Sequence, residues 1–263
     1  MLTADPLPTV PPAPALDLPS ILFFGRSFAE YCHFFALDPV ALRRRPVLDV
    51  AAGPASFTAE ACRFGIDAVA VDPLYGCTVD VLRARVQFDY AQMGRAQRRQ
   101  PALSRFTDGA ACDAGIPRAP ASGRFGFPSF AAAERDRRAA AERFLDDYRA
   151  HFAHGRYFGA TLPQLPFFDR TFDVVLCAHL LFVYARQLDY PFHLAACQEL
   201  VRVSRDEVRI HPVCGPDGQP YQHLQRLNDE LAAAFVRARV VPVNYEFFRG
   251  SSSMLVLTRL PGG

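Results

Sequence analysis

The chain has 263 residues, half of them hydrophobic, and a formal net charge of +2 at pH 7. That length suits one large domain or a domain with an insertion, and the charge demands neither nucleic acid nor a membrane surface as partner. All 29 basic residues are arginine, which excludes a phosphate-loop lysine, a Schiff-base lysine and a kinase-type lysine together.

Residues 1–20 carry prolines at 6, 8, 11, 12, 14 and 19 and little that could pack, which predicts a disordered tail. From Ile21 to about Leu42, Phe24, Phe28, Tyr31, Phe34 and Phe35 recur at three- and four-residue spacings until Asp38-Pro39. This predicts a leading helix packed against the sheet edge or capping the ligand site, with an aromatic stripe that is core rather than cofactor contact. An apolar run, Val47-Leu48-Asp49-Val50, then ends in the small-residue turn Ala51-Ala52-Gly53-Pro54-Ala55-Ser56. A helix over about 56–64 follows, ended by Gly65, and a second run, Val69-Ala70-Val71, ends in Asp72. Strand, turn, helix, strand and acid make the first βαβ unit of a nucleotide-binding sheet. The turn admits a ligand to the backbone, the helix N-terminus faces it, and the acid suits a ribose diol.

Residues 73–155 interrupt the alternation and are too long for an ordinary connection. Helical stretches at about 78–99 and 129–152 flank a Gly/Pro/Ala-rich segment from Gly109 to Pro128. Ser129 is placed as an N-cap and Glu134 with Arg138 as an i,i+4 pair. The expectation is a helical lid or substrate cap. Over 83–124 its arginines (83, 85, 95, 98, 99, 105, 118 and 124) outnumber its aspartates (89, 108 and 113) by five. An anionic or RNA substrate is one reading of that excess, and a solvated face is the preferred one. Strands are then expected at Arg156–Ala160, Phe172–Cys177 and Glu207–His211, and helices at Pro191–Val203 and Gln219–Arg237. Val240–Phe247 and Met254–Arg259 are predicted to form a closing antiparallel hairpin.

Val47–Phe57, Asp72, Leu165-Pro166-Phe167 leading into Phe172-Asp173-Val174-Val175-Leu176, and the terminal hairpin together resemble class I S-adenosylmethionine-dependent methyltransferases over roughly residues 45–260. The likeness is strongest to uncharacterised bacterial members that share a Gly-Pro-Ala-Ser-Phe turn, a stretch such as Ala178-His179-Leu180-Leu181-Phe182, and a Tyr-Glu-Phe like Tyr245-Glu246-Phe247. The resemblance implies an α/β, Rossmann-like, seven-stranded, mostly parallel sheet with a C-terminal antiparallel hairpin. It makes 21–263 one methyltransferase domain with a helical cap inserted after strand 2. By position, Asp49 and Gly53 would lie beside the methionine moiety, Ala51 of the same turn would also border the cofactor, and Asp72 would accept hydrogen bonds from both ribose hydroxyls. Ala160, Thr161 and Leu162 would border adenine, and Cys177, Ala178 and His179 would line the place of methyl transfer.

The turn departs from the family's glycine-rich form at Ala51 and Ala55, and a positive φ at Ala51 would cost roughly 1–2 kcal/mol. The usual acid after strand 3 is also absent. A nicotinamide dinucleotide would want three glycines for its pyrophosphate, and Asp49 would repel that group while suiting a sulfonium.

His179 is the candidate substrate contact or general base, since an imidazole titrates near neutrality. Tyr184, Asp189, Tyr190 and His193 lie nearby, with Asp189 better placed as a helix cap. His151 and His154 lack partners at metal spacing, so no metal is expected. Seven scattered cysteines without a C-x-x-C pair read as reduced thiols in a cytoplasmic protein. Neither a membrane span nor a signal peptide is expected. The expected function is methyl transfer from S-adenosylmethionine to a small or medium-sized acceptor. The alternative is a non-catalytic module of the same fold that binds the cofactor or a partner.

Overall fold

The computed structural model describes residues 18, 20–106 and 125–260. Most of the expected tail, and Cys112, Arg118 and Arg124 in the insertion, lie outside the described residues. Seven strands form one sheet: β1 (Pro46–Val50), β2 (Asp67–Asp72), β3 (Tyr157–Gly159), β4 (Phe172–Ala178), β5 (Ser204–His211), β6 (Val236–Pro242) and β7 (Ser253–Arg259). Their order is β3-β2-β1-β4-β5-β7-β6, with β7 antiparallel to both of its neighbours and the other pairs parallel. The expected sheet and closing hairpin are therefore present. The direction of winding reverses between β1 and β4, where open α/β sheets leave a crevice at their carboxyl ends.

Strand alternation assigns each side chain to a layer. Leu48, Val50, Val175 and Cys177 face a core shared with α5 (Tyr190–Val203) and α6 (Leu224–Ala233). Val47, Val174 and Leu176 face the opposite core, against α1 (Phe28–Phe34) and α2 (Phe57–Arg63). The insertion supplies α3 (Val79–Arg99) and α4 (Phe130–His151). Phe144, Leu145 and Tyr148 of α4 and Leu82 and Val86 of α3 close over Ala70 and Tyr157 beside the β2–β3 edge. Ser129 caps α4 by accepting from the Ala132 N–H, and Arg138 pairs with Glu134, as the sequence predicts.

Three elements differ from expectation. The leading helix is confined to Phe28–Phe34, and Ile21–Arg26 runs extended. Its amides donate away from the local chain: Leu22 N–H to the Tyr184 hydroxyl at 3.1 Å and Phe23 N–H to Asp89 Oδ2 at 2.7 Å. Ser27 and Glu30 form a capping box that fixes where the helix begins. The helix before β6 spans only Leu224–Ala233, because Phe235 at φ +58° turns the chain straight into β6. β6 in turn ends at Pro242, and the segment 243–250 is a connection that clips onto the inner ends of the insertion. Arg105 N–H donates to the Phe247 carbonyl at 2.7 Å, and Phe125 N–H to the Asn244 carbonyl at 3.1 Å.

Candidate functional site

A cavity of about 320 Å³ occupies the carboxyl ends of β1, β2 and β4 and the chain beyond β3. Ala51, Gly53, Asp72, Ala160, Thr161, Leu162 and His179 all line it. Strand ends thus gather residues that the sequence spreads over more than a hundred positions.

The turn after β1 is held from both sides. Gly53, at φ +56°, donates its N–H to Asp72 Oδ2 at 3.0 Å, and its carbonyl accepts the Tyr75 hydroxyl at 2.6 Å. Asp72 Oδ1 accepts the Leu74 N–H at 2.9 Å. Burial lifts the Asp72 carboxyl to about 6, against the pull of those two backbone N–H groups. Each oxygen keeps a second lone pair for a ligand hydroxyl.

Ala51 does take the left-handed conformation, at φ +54°. Relief of roughly 1–2 kcal/mol of strain, less the 0.4–1 kcal/mol entropy cost of glycine, gives Ala51→Gly an expected gain of about 0.5–1 kcal/mol. Urea denaturation of the two proteins measures it directly.

Two expected contacts stand back from the cavity, and strand alternation is the reason. Asp49 points with Val47 toward α1, fully buried, where Oδ1 accepts the Tyr31 hydroxyl at 3.2 Å and Oδ2 has no hydrogen-bond partner. Burial drives its carboxyl well above the usual carboxylate range, and the charge of Asp72 adds to the effect. Cys177 faces the other way, into the core with Cys197, and burial pushes its thiol up. Ala178 and His179, one and two residues later, are the ones that reach the cavity.

His179 sits at φ +52°, and both of its ring nitrogens are buried without a hydrogen-bond partner. Its ring packs edge-on to Phe34 at 5.1 Å and lies 5.0 Å from the His211 ring. Burial, then the positive charge of Arg26, pulls its pKa well below the ordinary 6.5, so the imidazole is neutral near pH 7. A neutral ring that gains little by protonation is better suited to holding a ligand by hydrogen bonds than to removing a proton. Asp189 accepts the Phe192 N–H at 2.9 Å as a helix cap. His193 is bonded to Tyr221 and to the Leu181 carbonyl inside the α5 layer.

The helix N-terminus after the turn is not open to a ligand as the sequence suggested. The extended segment before α1 lies across it: Ser56 N–H donates to the Arg26 carbonyl at 3.1 Å, and Ser56 Oγ accepts the Phe28 N–H. A Cβ on Gly25 would stand 2.2 Å from the Pro54 carbonyl oxygen, so glycine is required for this approach. The same segment brings Leu22, Phe24 and Arg26 into the cavity wall, joined by Tyr184 and Phe248. Sequence reasoning places Phe24 in the core and Tyr184 only near His179, and does not single out Leu22, Arg26 or Phe248. The one available signal was the S-x-x-E pattern of Ser27–Glu30, which marks a helix start and leaves the residues before it extended.

Among the described residues no group of three or more His, Cys, Asp or Glu side chains could hold a metal ion, and no helix is long and apolar enough to cross a membrane.

No family model matches the chain. The "Uncharacterized protein MJ0045" of the archaeon Methanocaldococcus jannaschii is 27% identical over 247 residues, which span 93% of this chain and 99% of that protein. Among solved structures, the magnesium protoporphyrin IX methyltransferase of Synechocystis PCC 6803 with bound SAM is similar at 13% identity and a TM-score of 0.42, over 84% of this chain and 74% of its own. A SAM-dependent methyltransferase from Aquifex aeolicus is similar at 14% identity and a TM-score of 0.38, over 88% and 92%. Likenesses this distant are similarities of outline, and the chemistry has to be read from the cavity itself.

Proposed function

We propose that the chain is an S-adenosylmethionine-dependent methyltransferase acting on a small or medium-sized acceptor. The observation that carries this reading is Asp72, a buried carboxylate at the end of β2 that lines the cavity and is already oriented by the Gly53 and Leu74 amides. It is suited to accept the two hydroxyls of a ribose. Asp49 stands behind the same turn with one buried oxygen unpartnered, and because burial favours its neutral form the reading rests on Asp72 rather than on a charge there. The turn backbone that a dinucleotide's pyrophosphate would need is covered by Gly25 and Arg26, which weighs against a dehydrogenase.

The residues present fit the donor. Gly53 and Asp72 would hold the ribose side, Ala160, Thr161 and Leu162 would border the adenine, and Ala51 would lie beside the methionine moiety. The bound sulfonium supplies an activated methyl group. What the protein contributes is alignment and exclusion of water, since in-line displacement needs position more than a proton shuttle. His179, a neutral ring in the cavity wall, would touch the acceptor and hold it. The non-catalytic alternative uses the same donor site without turnover.

Calorimetry with S-adenosylhomocysteine tests the reading. The wild type is expected to bind, and Asp72→Ala to weaken binding roughly a hundredfold or more, through loss of two charge-assisted hydrogen bonds. The ionised carboxylate is the form that accepts both hydroxyls. Affinity should therefore fall as pH drops through about 6, the value to which burial raises Asp72, by roughly tenfold per unit below it. Binding of NAD(H) in place of S-adenosylhomocysteine would overturn the proposal. Binding without turnover of any acceptor would favour the module.

A further inference from the structure

The cavity wall holds a buried positive charge with no carboxylate of its own, lying 4.7 Å from the centre of the Phe24 ring. Arg26 is 8% exposed and lines the cavity. Its Nη1 reaches only the carbonyls of Phe24 at 3.4 Å and Gly25 at 3.2 Å, and its Nε has no hydrogen-bond partner. Among the described residues the one carboxylate within ion-pair distance is Glu30, at 3.9 Å, too long for a hydrogen bond. Glu30 is already committed: Arg137 donates to both of its oxygens, the Tyr245 hydroxyl donates to Oε1 at 2.7 Å, and the Ser27 N–H donates to Oε2. Two buried guanidiniums thus share one carboxylate, and a single positive charge is left over on the cavity side.

His179, in the same wall, has two more buried and unpartnered polar atoms. A neutral imidazole carries one N–H to donate. Buried polar groups are normally satisfied within the fold, and a buried guanidinium without its own counter-charge is costly. Here a cation without a carboxylate of its own and an imidazole without any hydrogen-bond partner line one cavity, which calls for an acceptor that arrives with a ligand. A carboxylate brings one negative charge against one surplus positive charge, and its planar pair of oxygens matches the guanidinium fork. The neighbouring wall is apolar, from Leu22, Phe24, Val183 and Phe248.

We propose that Arg26 and His179 form a carboxylate-binding subsite for a small molecule seated in the cavity. The carboxylate comes from one of two sources: the amino-acid end of the methyl donor, which rests on the function proposed above, or an apolar acceptor bearing an acid group. The subsite itself does not depend on which.

Arg26→Met separates these possibilities. If the donor supplies the carboxylate, the variant binds S-adenosylhomocysteine at least about tenfold more weakly, while 5′-methylthioadenosine, which lacks the amino-acid end, binds as to wild type. If the acceptor supplies it, S-adenosylhomocysteine affinity is unchanged. Benzoate and octanoate then bind wild type more tightly than benzamide and octanamide, with or without S-adenosylhomocysteine, and Arg26→Met abolishes that preference. Arg26→Lys, which keeps the charge without the fork, should recover part of the loss. The melting midpoint supplies the readout that a purely structural arginine would move. Removing one of two crowded buried cations should leave it unchanged or raised.

The subsite is overturned if Arg26→Met binds S-adenosylhomocysteine normally and wild type shows no preference for acid over amide. It is equally overturned if S-adenosylhomocysteine and 5′-methylthioadenosine are lost in parallel with a lowered midpoint. A wild type that fails to bind S-adenosylhomocysteine yet prefers the acids would sink the methyltransferase reading and leave the subsite standing.

Discussion

Glu30→Gln is expected to destabilise the protein by about 3–5 kcal/mol at pH 7, the cost of removing one member of a buried ion pair and leaving the other. Glu30 is fully buried on α1, and Arg137 on α4 is 1% exposed. The guanidinium donates through Nε at 3.1 Å to each carboxylate oxygen and through Nη2 at 2.5 Å to Oε1, and it stacks 3.9 Å from the Phe247 ring centre. Burial alone would raise the Glu30 carboxyl. Arg137, by charge and hydrogen bond, and then Arg26 outweigh it, and the net pKa lies below 4.5. A carboxylate depressed in the folded state contributes stability above its unfolded value and loses it as pH falls through the folded value. The gap between wild type and Glu30→Gln in urea should therefore be widest near neutrality and close as the medium is acidified below the ordinary carboxylate range. A gap that stayed constant with pH would mean that Glu30 contributes shape rather than charge.

Gly25→Ala is expected to cost about 1–3 kcal/mol or more, although the change adds a single methyl group. That methyl would stand 2.2 Å from the Pro54 oxygen and 2.5 Å from the Ala55 nitrogen, both backbone atoms of the turn after β1. Neither side can yield cheaply. The segment is tied down by the Ser56–Arg26 backbone bond and by the Leu22 and Phe23 amides, and the turn by Asp72 and Tyr75. The variant must lift the segment, so it should also lose affinity for S-adenosylhomocysteine while keeping the sheet's circular-dichroism signature. Unchanged stability would show that the segment is not seated on the turn.

How much of this could be read in advance divides along physical lines. The β1–turn–α2–β2 unit, the acid at Asp72, the Ser129 and Asp189 caps and the closing antiparallel strands were legible because each is written in neighbouring residues. The facing of Asp49 and Cys177 was within reach of the same reasoning. Period-two alternation from Val47 and from Val174 puts both side chains inside, and only Ala178 and the residues after it emerge. The first helix is overread because Phe24 continues its aromatic spacing, whereas the close approach of Gly25 to Pro54 and hydrogen bonds to Tyr184 and Asp89 decide its backbone. The Glu30–Arg137 pair joins residues 107 positions apart, and Tyr245 is a further 108 beyond Arg137. No local pattern announces such a meeting. The Tyr-Glu-Phe stretch likewise reads as strand by composition, yet Tyr245 leaves the sheet to reach Glu30.

The cavity is assembled from two kinds of material. One side consists of strand ends, whose positions the hydrogen-bond ladder dictates. The other consists of the segment before α1, α3 of the insertion, the chain between β4 and α5 and the connection before β7, with Glu30 of α1, Arg137 of α4 and Tyr245 of that connection fastened together. Residues such as Leu22, Val183 and Phe248 can change in size without disturbing a single rung of the ladder or the carboxylate of Asp72. The architecture thus leaves the molecule free to diversify what it accommodates on one side while conserving what it grips on the other, so long as that three-residue fastening persists.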